Sequence, residues 1–408
     1  MLRPYNGEYL LQPFGLHLGM NWCSHNCYYC FANLDQPERR GDWTQVARMM
    51  RRAADGDIGK SLTAKWLSEK RPILASNVSD PFAKSNDKAF QEIFTLAHNL
   101  GHTFAFQTRG GALAKDTLSQ SRKTSVYISV TSDDEDYIKQ REPGAPSFRS
   151  RLELIQHAKA CGHSVIVGIN PYVPDWWGDI EGFVAWLKAH GVDKVWWGTI
   201  HISNLQVRQM PSSKQAVFAQ EIGYMRKKVL PDQDKIDDMV DMLAESGINS
   251  FSGPLSERGG FWKEAHAKIP GCFKTVEDLS DELRAFSQEN GGKPVAFSEA
   301  WFTKFTGVTD DFESSEWGDF VSKSQKTMLE EAGASRKNVR RASSYHKMLF
   351  ALASQSGLFH SKRFTRAVDG NSANARDVTD KNGFSILIWM PDLSESETSD
   401  INNSLLIG

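Results

Sequence analysis

Short apolar runs alternate with amphipathic stretches through the first half of the chain. The runs are rich in β-branched and aromatic residues, as buried strands are, and they read GLHLG, PILASN, HTFAFQ, SVYISV, HSVIVGIN and VDKVWWGTI. Between them, stretches such as DKAFQEIFTLAHNLG and FRSRLELIQHAKACG carry apolar residues at helical spacing. Several of these stretches end at a glycine, where helices commonly stop. After a loop-like opening, the pattern predicts about six strand–helix units with parallel strands.

This repetition predicts an α/β protein whose N-terminal domain, residues 1–232, is a partial (β/α)6 TIM barrel. About eight units complete such a barrel, so six leave it open on one side. In folds of this type the functional side chains follow the carboxyl ends of the strands. Polar residues directly after the predicted strands are therefore the first candidates for a site.

The alternation ends near residue 232, and the rest of the chain has a different character. Residues 233–335 are predicted to be a helical, largely acidic extension, because DKIDDMVDMLAESG and TVEDLSDELRAFSQ have helical periodicity. Residues 336–408 begin with the basic helix SRKNVRRASSYHKMLFALASQSG, followed by the strand FHSKRFTRAV, a polar loop and the strand FSILIWM. This order resembles a winged helix, so we predict a winged-helix-like basic domain.

The composition indicates the cellular compartment of the protein more clearly than it indicates its binding partners. Lys and Arg total 48 against 50 Asp and Glu in 408 residues, so binding to a polyanion would need a local basic patch. No run has the layout of a signal peptide or the ~18 apolar residues of a membrane span, so we expect a cytoplasmic protein without membrane contact. Five cysteines, three of them within eight residues, favour a metal site in a reducing compartment over a disulfide framework.

The segment MNWCSHNCYYCFAN places Cys23, Cys27 and Cys30 directly after the first predicted strand of the barrel. Three thiolates on one short loop suit three corners of a cubane [4Fe–4S] cluster, which leaves the fourth iron free to chelate an external molecule. The alternative is a zinc site with His25 or Cys272 as the fourth ligand. Zinc ligands more often come as two pairs, so the cluster is the favoured interpretation.

The CxxxCxxC spacing, with Tyr29 before the last cysteine, resembles the signature of the radical S-adenosylmethionine (SAM) superfamily. The position of the motif after the first strand of a βα barrel is similar too. The resemblance implies a [4Fe–4S] cluster that binds SAM, with Tyr29 in the cofactor-binding loop, and an external electron donor. It also implies cleavage of SAM to methionine and a 5′-deoxyadenosyl radical, which abstracts a hydrogen atom from the substrate.

Residues 14–175 or so are similar to one branch of that superfamily, the spore photoproduct lyase-like or DNA repair photolyase-like proteins. ASNVSDPF is similar to the branch's Ser/Thr-Asp-Pro-aromatic motif, which implies that Ser79 and Asp80 lie beside the methionyl amino group of SAM. FQTRGG stands where relatives have a Thr-Lys pair, which implies that Arg109 binds the methionyl carboxylate. Without the resemblance, Ser79 and Asp80 could cap a helix and Arg109 could be a surface cation.

Two further strand ends carry the resemblance. YISVTSDDEDYIKQREPGAPS is similar to the family's Ser-x-x-Thr…Glu-Pro-x-x-Pro-Ser stretch, which implies that Ser129 contacts the carboxylate and places Glu142 in a loop near the substrate. VIVGINPYVPDWW implies that Asn170 lies near the adenosine of SAM, although it could also close a turn. Trp176 and Trp177 follow this strand and could stack on an extruded base.

The sequence departs from spore photoproduct lyase itself at two positions. Asn77 stands where that enzyme's hydrogen-donating cysteine would align, and Phe31 stands where a tyrosine follows the last cluster cysteine. We therefore expect modification of a thymine-derived base in DNA, in the manner of hypermodification, and not repair of the spore dimer. Asn77 is then a candidate substrate contact, and Arg340 and Arg341 on the basic helix are candidates for contacts to DNA phosphates.

Two other functions remain open. The enzyme could act on a small metabolite or a peptide, with the C-terminal region as a lid over the barrel. The chain could also be a cluster or zinc protein that binds DNA without catalysis, and such a protein would release no 5′-deoxyadenosine.

Overall fold

The structure is a computed structural model, and its described residues cover most of the barrel and short parts of the C-terminal region. These residues are 2–5, 15–20, 22–30, 42–75, 79–200, 202, 204–227, 233–252, 276–296, 300–301, 304, 364–366, 387–389 and 406–407. All strands, helices and contacts of the fold refer to these residues.

A sheet of eight strands lies at the centre of the N-terminal part, and its strands follow one another in chain order. The first strand is antiparallel to the second, and each later strand is parallel to its predecessor. The strands are β1 (Leu2–Tyr5), β2 (Gly15–Leu18), β3 (Ile73–Ala75), β4 (Phe104–Thr108), β5 (Ser125–Ser129), β6 (Ser164–Tyr172), β7 (Lys194–Thr199) and β8 (Asn249–Phe251). Parallel strands in unbroken order are the arrangement of a βα barrel.

Helices connect the strands, and several begin at a side chain that caps the first turn. Ser147, for example, accepts a hydrogen bond from the backbone N–H of Ser150. The described helices are α1 (Trp43–Ala54), α2 (Leu62–Ser68), α3 (Asp87–Asn99), α4 (Ala114–Gln120), α5 (Glu135–Arg141), α6 (Phe148–Ala160), α7 (Ile180–Ala189), α8 (Asn204–Gln209), α9 (Ser212–Val217), α10 (Ala219–Lys227), α11 (Gln233–Glu245) and α12 (Val276–Glu289). Among these helices, none is long and apolar enough to cross a bilayer.

The core lies between the sheet and its helices, and aromatic side chains fill part of it. All residues of β3 and β5 are buried, which explains why these strands read as continuous apolar runs. Five phenylalanines from β4, α3 and the loop before α3 pack against one another: Phe82, Phe90, Phe94, Phe104 and Phe106. These ring contacts join β4 to α3.

The prediction of an α/β protein with a partial barrel is confirmed, and the sheet is larger than predicted. β1 lies in the stretch that was predicted to be a loop-like opening, and β8 lies beyond residue 232, in the predicted helical extension. β8 has only three residues, too few for a recognisable period. The division of the chain into domains at residues 232 and 335 stays a prediction.

A second sheet involves the C-terminal region. Its four strands lie in the order β10, β11, β9 and β12, where β9 is Val295–Ala296, β10 is Phe364–Arg366, β11 is Leu387–Trp389 and β12 is Leu406–Ile407. The two strands predicted for the winged-helix-like domain, β10 and β11, are antiparallel neighbours. β9 pairs with β11 and comes from the predicted helical extension. The basic helix lies outside the described residues, so the winged-helix interpretation stays a prediction.

Candidate functional site

The cluster loop, residues 22–30, follows β2 and carries the three cysteines in two consecutive turns. The backbone N–H of Asn26 donates to Cys23 O at 3.2 Å, and that of Cys30 donates to Cys27 O at 3.1 Å. Asn26 has a φ of 51°, which the first turn requires. Cys23 and Cys27 are buried and Cys30 is half-buried, and none of the three forms a disulfide with another described residue. The loop thus holds the predicted cluster ligands together at one end of the barrel.

The chemistry of these thiols fits an iron–sulfur cluster. Burial raises the pKa of Cys23 to about 12 and raises the pKa of Cys27 well above its usual value. Arg109 is the largest influence that lowers the pKa of Cys27. A cationic cluster supplies the charge that deprotonates such thiols. Three thiols in one loop therefore suit a [4Fe–4S] cluster with one iron left for SAM. Among the described residues, no three His, Cys, Asp or Glu side chains are grouped as ligands of a single metal ion.

His25 does not supply a fourth ligand, because both of its ring nitrogens face other groups. Nδ1 lies 3.0 Å from Gly144 O, and Nε2 lies 3.1 Å from Asp80 Oδ2. The imidazole is buried in this position. The zinc alternative therefore receives no support at His25. Its other suggested ligand, Cys272, lies outside the described residues.

A second segment, residues 141–147, runs from the last residue of α5 to the N-cap of α6. It packs directly against the cluster loop, and we call it the clamp loop. Arg141 O accepts a hydrogen bond from Tyr28 N at 2.9 Å, and Gly144 N donates to His25 O at 3.0 Å. A Cβ at Gly144 would lie 2.0 Å from Ser24 O, so only glycine permits this approach. The two loops thus meet backbone to backbone.

Asp80 connects the cluster loop to the end of β4. Its Oδ1 accepts from Phe82 N at 2.9 Å and from Thr108 Oγ1 at 2.7 Å. Its Oδ2 accepts from Arg109 N at 2.6 Å and lies beside His25. Burial opposes the charge, but His25 and these donors outweigh it, so the pKa of Asp80 is lowered.

Both carboxylate oxygens of Asp80 have internal partners, so Asp80 holds the cluster loop and the end of β4 in position. Its predicted contact with the amino group of SAM stays a prediction. Neither Asp80 nor Ser79 caps α3, because the N-cap of that helix is Asn86. Ser79 is half-buried, and its Oγ accepts from Asn86 Nδ2 at 3.0 Å. Its predicted contact with SAM stays a prediction.

Glu142 lies at the centre of a buried polar cluster, which we call the Glu142 network: Tyr29, Arg109, Thr131, Glu142 and Arg151. The carboxylate accepts hydrogen bonds from Thr131 Oγ1 at 2.8 Å, from the Tyr29 hydroxyl and from Arg151 Nη2. Arg109 Nε lies 3.4 Å from the same carboxylate, and Arg109 Nη2 donates to the Tyr29 hydroxyl at 2.9 Å. Each member therefore touches another member that belongs to a different segment of the chain.

The charges of this network leave a surplus cation. Burial by itself would raise the pKa of Glu142, but Arg151 and Arg109 hold it far below its usual range. One carboxylate thus lies between two guanidinium groups. The interpretation of Arg109 as a surface cation is wrong, because its side chain is 22% exposed and joins this network. Beside the cysteines, its charge favours thiolates and an anionic ligand such as the carboxylate of SAM.

Ser129 and Asn170 lie on neighbouring strands at the same end of the sheet. Ser129 is the last residue of β5, and its Oγ lies 3.5 Å from Asn170 O. Asn170 is within β6 and half-buried, so it does not close a turn. Both positions agree with the predicted edge of the site, and their contacts with SAM stay predictions.

Trp176 does not have the open face that base stacking needs. Its ring is 2% exposed and lies 5.7 Å from the Tyr29 ring and 6.1 Å from the Phe218 ring. Its Nε1 donates to Glu221 at 3.0 Å. Trp177 is half-buried and packs 5.0 Å from the Phe183 ring. The structure therefore places Trp176 in the interior, contrary to the expectation from sequence.

Two parts of this site were not predicted from the sequence. The first is the segment of α8, α9 and α10, whose apolar residues, such as Phe218, pack against the cluster loop. In the same segment, Gln206 Nε2 of α8 donates a hydrogen bond to Tyr29 O at 3.1 Å. The second is Arg151, which is fully buried on α6 with Leu154 and Ile155. Its spacing to those two residues placed it on the apolar face of the helix, and that was a usable signal.

Some predicted residues cannot be placed. Asn77, Arg340 and Arg341 lie outside the described residues, as does Phe31. Their predicted contacts with the substrate or with DNA phosphates stay predictions.

Residues 18–187 match the family model of the radical SAM superfamily. A curated relative, the uncharacterized protein ORF301 of Acidianus two-tailed virus, is 24% identical over 279 residues, which cover 64% of this chain and 86% of the viral protein. The structure of Streptococcus suis SuiB bound to SAM is similar over 65% of this chain and 55% of SuiB, with 12% identity and a TM-score of 0.38.

A mutant spore photoproduct lyase with bound AdoMet and dinucleoside spore photoproduct is similar over 66% of this chain and 78% of that protein, with 11% identity and a TM-score of 0.38. The present chain spans about half the length of SuiB.

The family match includes the whole cluster loop and the strands β3 to β6. It also includes the clamp loop and all five residues of the Glu142 network. Residues 18–187 of this chain therefore carry a radical SAM superfamily domain.

Proposed function

We propose that this enzyme uses SAM to modify or rearrange a thymine-derived base in DNA, in the manner of hypermodification and not of spore-photoproduct repair. The superfamily implies a [4Fe–4S] cluster and SAM as cofactors. When bound, they supply a 5′-deoxyadenosyl radical that abstracts a hydrogen atom from an unactivated C–H bond. Acid–base catalysis cannot remove hydrogen from such bonds. The methyl group of thymine has C–H bonds of this kind.

The residues of the site have distinct tasks in this proposal. Cys23, Cys27 and Cys30 hold the cluster. Arg109 offers its guanidinium to the methionyl carboxylate of SAM, since it is a half-buried cation next to the cysteines. Ser129 and Asn170 line the edge of the sheet beside it. An external electron donor reduces the cluster.

One exposed aromatic residue supports a base as the substrate. Trp22 directly precedes Cys23, and it is 42% exposed, although large aromatic side chains are usually buried. Ser85 Oγ donates to Trp22 O at 2.7 Å, which fixes the backbone of this residue. An exposed indole next to the cluster ligands is a suitable platform for an extruded base. Arg340 and Arg341 are the proposed contacts to the DNA backbone.

The sequence resemblance to spore photoproduct lyase-like proteins supports the choice of thymine, and the departures support modification over repair. Asn77 replaces the cysteine that donates hydrogen in that lyase, and Phe31 replaces a tyrosine. The product radical must then be quenched by another route, which is compatible with a rearrangement or an addition.

The test is an anaerobic assay of the reconstituted, reduced enzyme on duplex DNA that contains thymine or an oxidised thymine. Products are detected by nucleoside mass spectrometry and by release of 5′-deoxyadenosine. We expect a new nucleoside that requires SAM, a reductant and DNA, and we expect the Cys27→Ala variant to form none. The Cys161→Ala variant is the matched control, because Cys161 follows α6, away from the cluster loop. Stimulation by peptides or small metabolites, with no response to DNA, would contradict the proposed substrate.

A further inference from the structure

We propose that Glu142 is a positioning residue that sets the direction of the Arg109 guanidinium and the Tyr29 hydroxyl, and that it thereby controls both the affinity for SAM and the electronic environment of the cluster. The inference depends on the superfamily assignment and not on the identity of the substrate. Its test therefore stands apart from the test with DNA.

The two oxygens of Glu142 have different partners. Oε2 accepts from Arg151, which is fully buried and also donates to Pro146 O at 3.0 Å and to Ser129 O at 3.3 Å. Arg151 is thus held by two backbone carbonyls in addition to Glu142. This makes Oε2 the fixed end of the carboxylate.

Oε1 faces the cofactor side of the network. It accepts from Thr131 at 2.8 Å and from the Tyr29 hydroxyl, and it lies 3.4 Å from Arg109 Nε. Tyr29 is in the cluster loop between Cys27 and Cys30, and Arg109 follows β4. Glu142 therefore connects Arg151 on α6 to Tyr29 in the cluster loop and to Arg109 after β4.

The chemistry of the carboxylate is essential to this connection. Oε1 and Oε2 are surrounded by donors alone, so an amide in place of the carboxylate would turn one N–H group toward another donor. The change to glutamine would also leave the buried Arg151 and the half-buried Arg109 without their shared anion. Arg109 would then lose its orientation, and the charge beside the cluster would become more positive by one unit.

The experiment compares Glu142→Gln, Glu142→Asp and Glu153→Gln in the full chain after anaerobic reconstitution. Glu153 is the control, since it is 44% exposed on α6, the helix that carries Arg151, and pairs with Lys115 and Arg149 on the surface. Iron content and melting temperature are measured first. SAM is then titrated into the reduced protein, and binding is followed by the electron paramagnetic resonance (EPR) spectrum of the cluster.

We expect Glu142→Gln to keep its iron and to bind SAM about tenfold or more weakly, because charge-assisted hydrogen bonds contribute about that factor. Its cluster should have a higher midpoint potential and an altered EPR spectrum. Glu142→Asp keeps the charge and should recover part of the affinity. Glu153→Gln should match the wild type.

A second variant decides the question if Glu142→Gln loses its fold or its cluster. Thr131→Val removes one donor to Oε1 without changing any charge, and we expect it to weaken SAM binding about threefold at unchanged iron content. Unchanged SAM affinity and an unchanged EPR spectrum in either variant would overturn the proposal. A lower melting temperature with wild-type SAM affinity would also overturn it, because it would show that the network serves stability alone.

Discussion

Replacing Gly144 by alanine tests whether the clamp loop holds the cluster loop in place. The new Cβ would lie 2.0 Å from Ser24 O and 3.1 Å from His25 Cα, whereas ordinary contacts begin near 3.4 Å. The loops would have to separate by about 1.4 Å. The hydrogen bond from Gly144 N to His25 O and the contact between His25 Nδ1 and Gly144 O, both 3.0 Å long, would then be lost. Two such bonds contribute about 2 kcal/mol.

A shift of this size is far larger than the few tenths of an ångström that metal–ligand distances tolerate. We therefore expect Gly144→Ala to lose most of its iron and acid-labile sulfide after anaerobic reconstitution, while the far-ultraviolet circular dichroism of the apoprotein stays near that of the wild type. Gly223→Ala is the control, because no other atom lies within 4 Å of a Cβ at that position in α10. A Gly144→Ala protein with wild-type iron content would refute the role of the clamp loop.

Three further predictions concern other parts of the structure. Burial, with repulsion from Lys70 and Arg122, lowers the pKa of His102 to about 4, so its contribution to stability is complete above pH 6.5 and is lost as the pH falls toward 4. This contribution of His102 to stability amounts to at most about 3 kcal/mol. The His102→Gln variant should therefore show a smaller change in the free energy of urea unfolding between pH 7 and 4.5 than the wild type. An unchanged pH dependence would refute this. Asp80→Asn places an N–H group among hydrogen-bond donors. It should lower the free energy of unfolding by about 2–4 kcal/mol and should also lower the iron content. A urea unfolding midpoint equal to that of the wild type would contradict this. Trp22→Ala should raise the KM for DNA about tenfold at unchanged SAM affinity, and an unchanged KM would exclude base stacking at this residue.

The sequence was sufficient for the parts of the fold that have strong local patterns. The strands β2 to β7 were predicted because they are apolar runs with helices between them, and the cysteines were predicted because their spacing is short. β8 was missed because a strand of three residues has no period of its own, and its assignment depends on its parallel pairing with β7.

The sequence indicated which types of residue form the site, but it did not indicate which side chains they contact. Arg109 was expected to face SAM, but the sequence did not indicate that it shares Glu142 with Arg151. Arg109 is 33 residues and Arg151 is 9 residues away from Glu142 along the chain. Trp176 was expected to be accessible, and it is buried because Phe218 of the segment before α10 packs against its ring. Such contacts between distant segments are set by tertiary packing, which periodicity and motif spacing do not contain.

Cys23, Cys27 and Cys30 are proposed to hold an iron–sulfur cluster with one iron open to SAM. The most direct test is the EPR spectrum of the reconstituted, reduced protein, recorded with and without SAM. We predict the signal of a reduced [4Fe–4S] cluster that changes when SAM binds, as an open iron requires. A protein that takes up zinc and gives no signal, or a cluster whose spectrum ignores SAM, would contradict the account.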